Sequence, residues 1–218
     1  MQTKYVLFDL DGTLLNTLPS IAYYVNAALK EEGLGEIELD AIRYYVGNGA
    51  DTLIWRSLAH FGRGDDQALF ERVFKRYITL YHSEPLYLTT PYDGIMDMLD
   101  ELEKAGVVCA VLSNKPHYAT CEVVKHFFGN RFTMVQGAQD GIPLKPNPEA
   151  VYAMIDVLGG TKKEAVYVGD TSVDIDTANN AEMVSVGVAW GFRDEAELAE
   201  HGATHIIHHP MEMLDLLE

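Results

Sequence analysis

Short apolar runs alternate with amphipathic stretches along most of this 218-residue chain. The run Tyr5 to Phe8 is apolar and stops at Asp9, which is typical of a buried strand. Further strands are predicted where the chain is again apolar, at residues 107–112, 132–135, 165–168, 184–188 and 205–207. Strands that alternate with helical patterns of about 10–15 residues indicate an α/β fold, a doubly wound parallel sheet with right-handed crossovers.

An all-helical segment interrupts this alternation after the first strand. Its first helix has apolar residues at helical spacing, which predicts one buried face made of Ile21, Val25, Ala28 and Leu29. From there to about Tyr87 only helical periods occur, and glycine-containing breaks separate them. We therefore expect an α/β core domain and a small α-helical cap domain inserted after the first strand, with the core at residues 1–15 and 88–218 and the cap at 16–87.

The chain is acidic, with 16 basic and 33 acidic residues and a formal net charge of −17. This disfavours binding to nucleic acid or to an anionic membrane, because both partners require a basic face. A small anionic substrate remains compatible, since a metal ion and a few local donors can invert the field inside a cleft. No window approaches the ~20 apolar residues of a membrane span, and the start lacks a signal-peptide pattern. We expect a cytoplasmic monomer or homodimer in which Cys109 and Cys121 are reduced.

Polar side chains follow the ends of several predicted strands. They are Asp9 and Asp11 after the first strand, Ser113 and Asn114 after the second, Asp170 after the fourth, and Lys145 in the Pro/Gly-rich loop 141–148. In open α/β sheets the ligand site lies beyond the carboxyl ends of the strands. These residues are therefore expected to meet in one cleft.

Asp9 and Asp11 are two positions apart on an extended segment, so their side chains lean to the same side. Ionising two carboxylates this close together costs free energy because like charges repel, so one of them should hold a proton more tightly. This suits a division of roles in which Asp9 is the nucleophile and Asp11 is the acid that protonates a leaving oxygen. Gly12 allows a sharp turn beneath them, and the hydroxyl of Thr13 is expected to orient Asp9. Both Gly12 and Thr13 are also counted among the expected phosphate-binding residues.

A metal ion and a cation complete the expected site. Asp170 and Asp174 are spaced i, i+4 at a helix start, so their carboxylates can face one point. Such hard oxygens suit Mg²⁺, which is usually bound by one or two carboxylates and a substrate phosphate. Lys145 supplies positive charge, and Ser113 with the amide of Asn114 supplies neutral donors to phosphoryl oxygens.

A charge count makes Mg²⁺ a requirement of this site. If Asp11 is protonated, the ionised carboxylates of Asp9, Asp170 and Asp174 balance Mg²⁺ and Lys145. An incoming phosphate dianion then meets a site that is nearly neutral. Without the metal, the same cluster should repel phosphate.

The order of these residues resembles the four motifs of the haloacid dehalogenase (HAD) superfamily. The matching segments are Phe8 to Leu14, Ser113–Asn114, Lys145–Pro146, and Gly169 to Asp174, and the resemblance covers nearly the whole chain. It implies a Rossmann-like core with an α-helical cap. An Asp-x-Asp-Gly segment by itself is more typical of a turn, and the catalytic interpretation depends on the other motifs.

The resemblance also implies roles for single residues. Asp9 would be the phosphorylated nucleophile and Asp11 the acid/base. Mg²⁺ would be held by Asp9, Asp170 and the main-chain carbonyl of Asp11, with Asp174 supporting it through water. Ser113 and Lys145 would bind the phosphoryl group.

Within the superfamily, several segments indicate a subgroup. Asp11 argues against dehalogenases and phosphonoacetaldehyde hydrolases, which lack an aspartate there. Segments 46–51, 141–148 and 190–193 look most like the phosphoglycolate phosphatase-like subgroup, although Asn16–Thr17 stands where that subgroup usually shows Asp-Ser. In the cap, Gly47 and Asn48 are expected to contact substrate, and a simple break between helices is the other interpretation of this segment.

The expected function is therefore a Mg²⁺-dependent phosphomonoester hydrolase that acts on a small phosphorylated metabolite, and 2-phosphoglycolate is the substrate we expect. The alternatives are a pyrophosphatase or a phosphosugar mutase similar to β-phosphoglucomutase. Net phosphate release separates a hydrolase from a mutase. A catalytically silent regulatory binding protein is a further alternative, and the complete set of acidic residues and Lys145 argues against it.

Overall fold

The computed structural model describes residues 3–217. Its strands, in chain order, are β1 (Tyr5–Phe8), β2 (Leu15–Asn16), β3 (Thr90–Pro91), β4 (Val108–Pro116), β5 (Met134–Ala138), β6 (Ala165–Gly169), β7 (Val184–Val188) and β8 (His205–Ile207). Six of them form a parallel sheet in the order β5-β4-β1-β6-β7-β8. The predicted fold class is confirmed, although β4 extends four residues beyond its predicted end at Leu112.

The helices of the described residues are α1 (Leu18–Glu31), α2 (Leu39–Arg43), α3 (Ala50–His60), α4 (Gln67–Ser83), α5 (Ile95–Lys104), α6 (His117–Phe128), α7 (Glu149–Val157), α8 (Ser172–Asn180) and α9 (Glu195–Glu200), with 3₁₀ turns at Lys162–Glu164 and Pro210–Leu216. Helices that follow β3 cover both faces of the six-stranded sheet. Apolar residues of α5 and α6 pack on one face of the sheet, and those of α7 and α8 pack on the other. Among the described residues, no helix combines the length and apolar character that spanning a membrane would require.

Strand β1 lies in the middle of the sheet and is buried on both faces. Val6 and Phe8 belong to the apolar cluster on the α5 side, and Leu7 belongs to the cluster on the α7 side. This follows from the alternation of side chains along a strand. Because β1 is flanked by β4 and β6, residues that follow these three strands emerge at the same edge.

Helices α1 to α4 share a separate apolar cluster, which also includes Ala119 of α6 and Phe192 after β7. The predicted face of α1 is confirmed, since Ile21, Val25, Ala28 and Leu29 are all buried. The chain enters these helices after β2 and leaves them before β3, and the two short strands pair antiparallel, with Leu15 opposite Pro91. The two connections to the sheet therefore lie side by side, and the proposed cap boundaries at residues 16–87 stay a prediction.

The central strand offers a test of the packing. Leu7→Ala should lower the free energy of unfolding by about 2–5 kcal/mol, because Leu7 is 0% exposed and its removal leaves a cavity. Val157→Ala, at a position that is 72% exposed, should change it by less than about 0.5 kcal/mol. Urea denaturation of both variants measures the difference, and equal midpoints would contradict this packing.

Candidate active site

Three buried carboxylates gather at the carboxyl edge of the sheet. The N–H of Asp9 donates to the carbonyl of Val168 at 2.8 Å, which continues the β1–β6 ladder and fixes Asp9 just beyond the strand. Asp170 directly follows β6, and Asp174 lies in the first turn of α8. One oxygen from each of Asp9, Asp170 and Asp174 lies within 4.8 Å of the others.

Glycines make room for these carboxylates. Gly12 has a φ of +92°, and a Cβ there would lie 2.2 Å from Oδ2 of Asp170. A Cβ on Gly191 would lie 2.2 Å from Cβ of Asp170, and one on Gly169 would lie 2.2 Å from Cβ of Asp174. The close approach of backbone to carboxylate therefore depends on the absence of side chains at these positions.

Lys145 is the cation at the centre of the cluster. Its Nζ lies 2.8 Å from Oδ1 of Asp9 and donates to Oδ1 of Asp174 at 2.7 Å. Its backbone is held by Asn114, whose Oδ1 accepts from the N–H of Lys145 at 2.9 Å and whose Nδ2 donates to the Lys145 carbonyl at 3.0 Å. The same Nδ2 donates to the carbonyl of Gly47 at 3.0 Å. The side chain of Asn114 thus braces the site, and a phosphate contact by its main-chain amide stays a prediction.

Asp174 is held by a capping box at the start of α8. Its Oδ2 accepts from the N–H of Thr171 at 3.0 Å and from the hydroxyl of Thr171 at 2.8 Å. Its Oδ1 accepts from Lys145. Both oxygens of Asp174 therefore have donors, and its position is fixed by the helix terminus.

The hydroxyl of Thr13 contacts Asp170 and not Asp9. We expected it to orient Asp9, and this was wrong, because it donates to Oδ1 of Asp170 at 2.8 Å. The other oxygen of Asp170 accepts from the N–H of Phe192 at 2.8 Å. The tight turn that begins at Leu10, with the N–H of Thr13 donating to the Leu10 carbonyl, directs the Thr13 side chain to the end of β6.

Burial and mutual repulsion perturb the acidity of these groups. Burial raises the pKa of Asp9 to about 7, while Lys145 opposes that rise and Asp174 adds to it. Burial, and then the charges of Asp174 and Asp9, raise the pKa of Asp170 well above its ordinary value. Burial lowers the pKa of Lys145, but Asp174 and Asp9 outweigh it and raise that pKa well above its ordinary value. The site holds more negative charge than Lys145 can balance.

The donor set fits a hard divalent cation. Oδ1 of Asp9 is buried and, although it lies 2.8 Å from Nζ of Lys145, it receives no hydrogen bond of suitable direction from any residue that the structure describes. Carboxylate oxygens that converge in this way suit Mg²⁺, which prefers oxygen ligands. A cation here would also offset the repulsion among Asp9, Asp170 and Asp174.

Lys115 is a second buried cation that the sequence reasoning missed. Its Nζ donates to Oδ1 and Oδ2 of Asp11 at 2.9 and 3.2 Å, and to the hydroxyl of Tyr81 in α4. The only available signal was its place directly after Ser113 and Asn114, which becomes informative because β4 continues to Pro116. The charge count that included Lys145 alone was therefore incomplete.

The two lysines and the carboxylates Asp9 and Asp11 face a cavity of about 60 Å³. The opposite wall comes from the helical insert and is largely apolar, with Ile21, Leu53, Tyr77, Ile78 and Tyr81. Ser113 and Gly47 line the cavity as well, whereas Asn48 lies outside its lining. The insert therefore covers the carboxyl edge of the sheet.

Comparison with known proteins identifies the family. Residues 6–188 match the model of the haloacid dehalogenase-like hydrolases. The chain belongs to this family. The chain is 32% identical to a phosphoglycolate phosphatase of Pasteurella multocida over 100% of this chain and 99% of that protein. It is 30% identical to an N-acetylmuramic acid 6-phosphate phosphatase of Pseudomonas aeruginosa, over 100% and 96% of the two chains.

A crystal structure of a Lactobacillus delbrueckii subsp. bulgaricus protein superposes with a TM-score of 0.93, at 31% identity, and covers 100% of this chain and 99% of that one. These matches confirm the resemblance, the fold class and the prediction that this haloacid dehalogenase-like hydrolase is a phosphatase. The structure brings together the predicted carboxylates, Lys145 and Ser113. Their individual roles stay predictions.

The glycine beneath Asp170 provides a test of the site. Gly12→Ala should reduce kcat/KM by about 100-fold or more, since a methyl group would displace Oδ2 of Asp170. Gly33→Ala is the matched control, because Gly33 also has a positive φ, +75°, and no neighbouring atom of residues 3–217 lies within 4 Å of its Cβ position. Both variants should lose about 1 kcal/mol or more of stability through backbone strain, but Gly33→Ala should keep its activity. Steady-state kinetics and thermal unfolding would contradict this if the two variants lost activity equally.

Proposed function

We propose that this protein is a Mg²⁺-dependent phosphomonoester hydrolase that forms an aspartyl-phosphate on Asp9. The observation that supports this most is the convergence of Asp9, Asp170 and Asp174, all buried, beside Lys145 and a covered cavity. Burying several carboxylates together is costly unless a cation compensates them. Stability alone gives no reason for such a cluster, whereas phosphoryl transfer requires it.

Mg²⁺ would be held directly by Asp9 and Asp170, together with the main-chain carbonyl of Asp11. Asp174 would support the ion through a water molecule and would not bind it directly. This is supported by the hydrogen bonds that both of its carboxylate oxygens already accept. When bound, the ion would neutralise charge on the phosphoryl oxygens and on the carboxylates.

The reaction follows from the positions of Asp9 and Asp11. The carboxylate of Asp9 attacks phosphorus in line, and the bond between phosphorus and the ester oxygen breaks as Asp11 gives its proton to that oxygen. In the second step Asp11 takes a proton from water, which attacks phosphorus and frees Asp9 and phosphate. Lys145 and Ser113 hold the phosphoryl group through both steps.

The helical insert has two functions in this proposal. Its apolar wall excludes bulk water from the aspartyl-phosphate, and its packing over the cavity limits the size of the leaving group. A compact substrate such as 2-phosphoglycolate is supported by the small cavity and by the relative named phosphoglycolate phosphatase. The acidic composition supports a small metabolite in the cytoplasm as partner rather than nucleic acid or membrane.

Replacement of the nucleophile tests the covalent step. Asp9→Asn should lower kcat by on the order of 1,000-fold, equivalent to about 4 kcal/mol of transition-state stabilisation, because an amide cannot form the phosphoenzyme. Acid-quenched wild-type enzyme should carry a phosphoryl group on the peptide that contains Asp9, and the variant should not. Asp156→Asn, at an exposed position on α7, is the matched control. Phosphate release by Asp9→Asn at the wild-type rate would contradict the proposal.

Metal binding should depend on pH. Burial raises the pKa of Asp9 to about 7 in the metal-free protein, so below that pH Mg²⁺ must displace a proton. The apparent Kd for Mg²⁺ should therefore rise by up to about tenfold per pH unit below about pH 7. Mg²⁺ titrations followed by thermal unfolding measure this without any substrate. Asp170→Asn should lose the Mg²⁺-dependent rise in Tm, and a rise equal to the wild type would exclude this metal site.

A further inference from the structure

Four tyrosines of residues 3–217 are buried, and three of them use their hydroxyls inside the protein. The hydroxyls of Tyr24 and Tyr167 donate to backbone carbonyls at 2.9 and 3.0 Å, and the hydroxyl of Tyr81 accepts from Lys115. Tyr77 is only 6% exposed, and its hydroxyl has no hydrogen-bond partner among the same residues. Buried phenols usually have a partner, because burial removes their hydrogen bonds to water.

The hydroxyl of Tyr77 faces the cavity between the helical insert and the core. Tyr77 lies on α4 and lines this cavity. The charges of Lys115 and Asp11, which line the same cavity, act on the pKa of Tyr77, so the hydroxyl end of its ring lies toward them. The fully enclosed side-chain atoms that lack a partner within residues 3–217 belong to other residues. The oxygen of Tyr77 therefore keeps an accessible side, which opens to the cavity.

The wall that the insert contributes to the cavity is otherwise apolar. Besides Tyr77 and Tyr81, the described residues of α1 to α4 and their loops contribute aliphatic side chains and glycines to it. The hydroxyl of Tyr81 is already bound by Lys115, and the carbonyl of Gly47 by Asn114. Within the described part of the chain, Tyr77 is thus the one side chain of this wall with an unused hydrogen-bonding group.

The position of this group assigns it to the alcohol part of a substrate. In the proposed reaction the phosphoryl group is held by the core residues Asp9, Lys145 and Ser113, so the alcohol part lies against the wall of the insert. We infer that Tyr77 donates a hydrogen bond to an oxygen on the second carbon of that alcohol, and so makes the enzyme prefer such esters over plain alkyl phosphates. This rests on the proposed function, which places phosphorus beside Asp9. It holds whichever residue protonates the leaving oxygen.

The class of substrate follows from this contact. In 2-phosphoglycolate the second carbon carries the carboxylate oxygens, and in 2-hydroxyethyl phosphate it carries a hydroxyl. Both esters present an acceptor to Tyr77. An alkyl phosphate presents a methyl group instead and leaves the buried hydroxyl unpaired, which sites built for a hydrogen bond reject strongly.

The surroundings of Tyr77 suit a fixed donor. Burial raises the pKa of its hydroxyl above the ordinary value, Tyr81 adds to that rise, and Lys115 opposes it. The hydroxyl therefore keeps its proton. The ring packs beside that of Tyr81, with their centroids 5.7 Å apart, which limits the directions in which the hydroxyl can point.

A matched pair of esters tests the inference. We would measure kcat/KM with Mg²⁺ for 2-hydroxyethyl phosphate and for propyl phosphate, which have the same charge and differ by a hydroxyl in place of a methyl group. The wild type should prefer 2-hydroxyethyl phosphate by about tenfold or more. Tyr77→Phe keeps the ring and removes only the oxygen. This variant should lose the preference and about tenfold on 2-phosphoglycolate, and should keep kcat/KM for propyl phosphate within about twofold.

Two controls separate a lost contact from a damaged fold. Tyr23→Phe removes a hydroxyl from a tyrosine of α1 that is 50% exposed, and it should keep the wild-type ratio of the two esters. The Mg²⁺-dependent rise in Tm should be the same in Tyr77→Phe as in the wild type, because the proposed metal ligands are untouched. If Tyr77→Phe does not fold, the wild type still decides, since equal kcat/KM values for the two esters would overturn the inference.

The outcomes distinguish this inference from the proposed function. A folded Tyr77→Phe that keeps the wild-type preference, or that loses the same factor on both esters, would overturn the role of Tyr77 and keep the hydrolase. Absence of metal-dependent phosphate release from any ester by the wild type would overturn the proposed function itself, and the inference with it.

Discussion

Repulsion among three buried carboxylates is the constraint on which the rest of this site depends. Asp9, Asp170 and Asp174 are buried and place oxygens within 4.8 Å of one another. In water these charges would separate, and here the ends of β1 and β6 and the first turn of α8 hold them together. Lys145, hydrogen bonds from Thr13, Thr171 and Phe192, and glycines without side chains offset part of the cost. The remaining imbalance is what makes the site receptive to a cation and a phosphate.

The helical insert is tied to this cluster by contacts at two levels. Backbone carbonyls of the insert accept hydrogen bonds from core side chains, with Asn114 donating to Gly47 and Arg193 donating to Arg43 and Val46. Inside the cavity, Tyr81 reaches Lys115. Asn114 also holds the backbone of Lys145. Movement of the insert would therefore shift the positions of both Lys115 and Lys145. The position of the cap would in this way change the electrostatic potential at the reacting atoms.

The division of the two lysines explains how one small cavity can treat two carboxylates, Asp9 and Asp11, differently. Asp9 is buried beside Asp174 and shares Lys145 with it, so its charge is only partly compensated. Asp11 is half-buried and, among residues 3–217, is the one carboxylate that pairs with Lys115. Two aspartates that are two residues apart thus lie in different electrostatic surroundings, as separate roles for nucleophile and acid require.

The sequence by itself determined the sheet, the helical insert and the meeting of Asp9, Ser113, Lys145 and Asp170 at one edge. Strand periodicity and the polar residues after strands are local signals, and parallel strands bring their carboxyl ends to the same edge. Only the tertiary structure showed that the hydroxyl of Thr13 donates to Asp170 and that β4 continues past Asn114. It also showed that Lys115 is bound by both Tyr81 and Asp11. These contacts join segments far apart in the chain, and their geometry is set by how tight turns direct side chains and how the insert packs on the core, which no local pattern encodes.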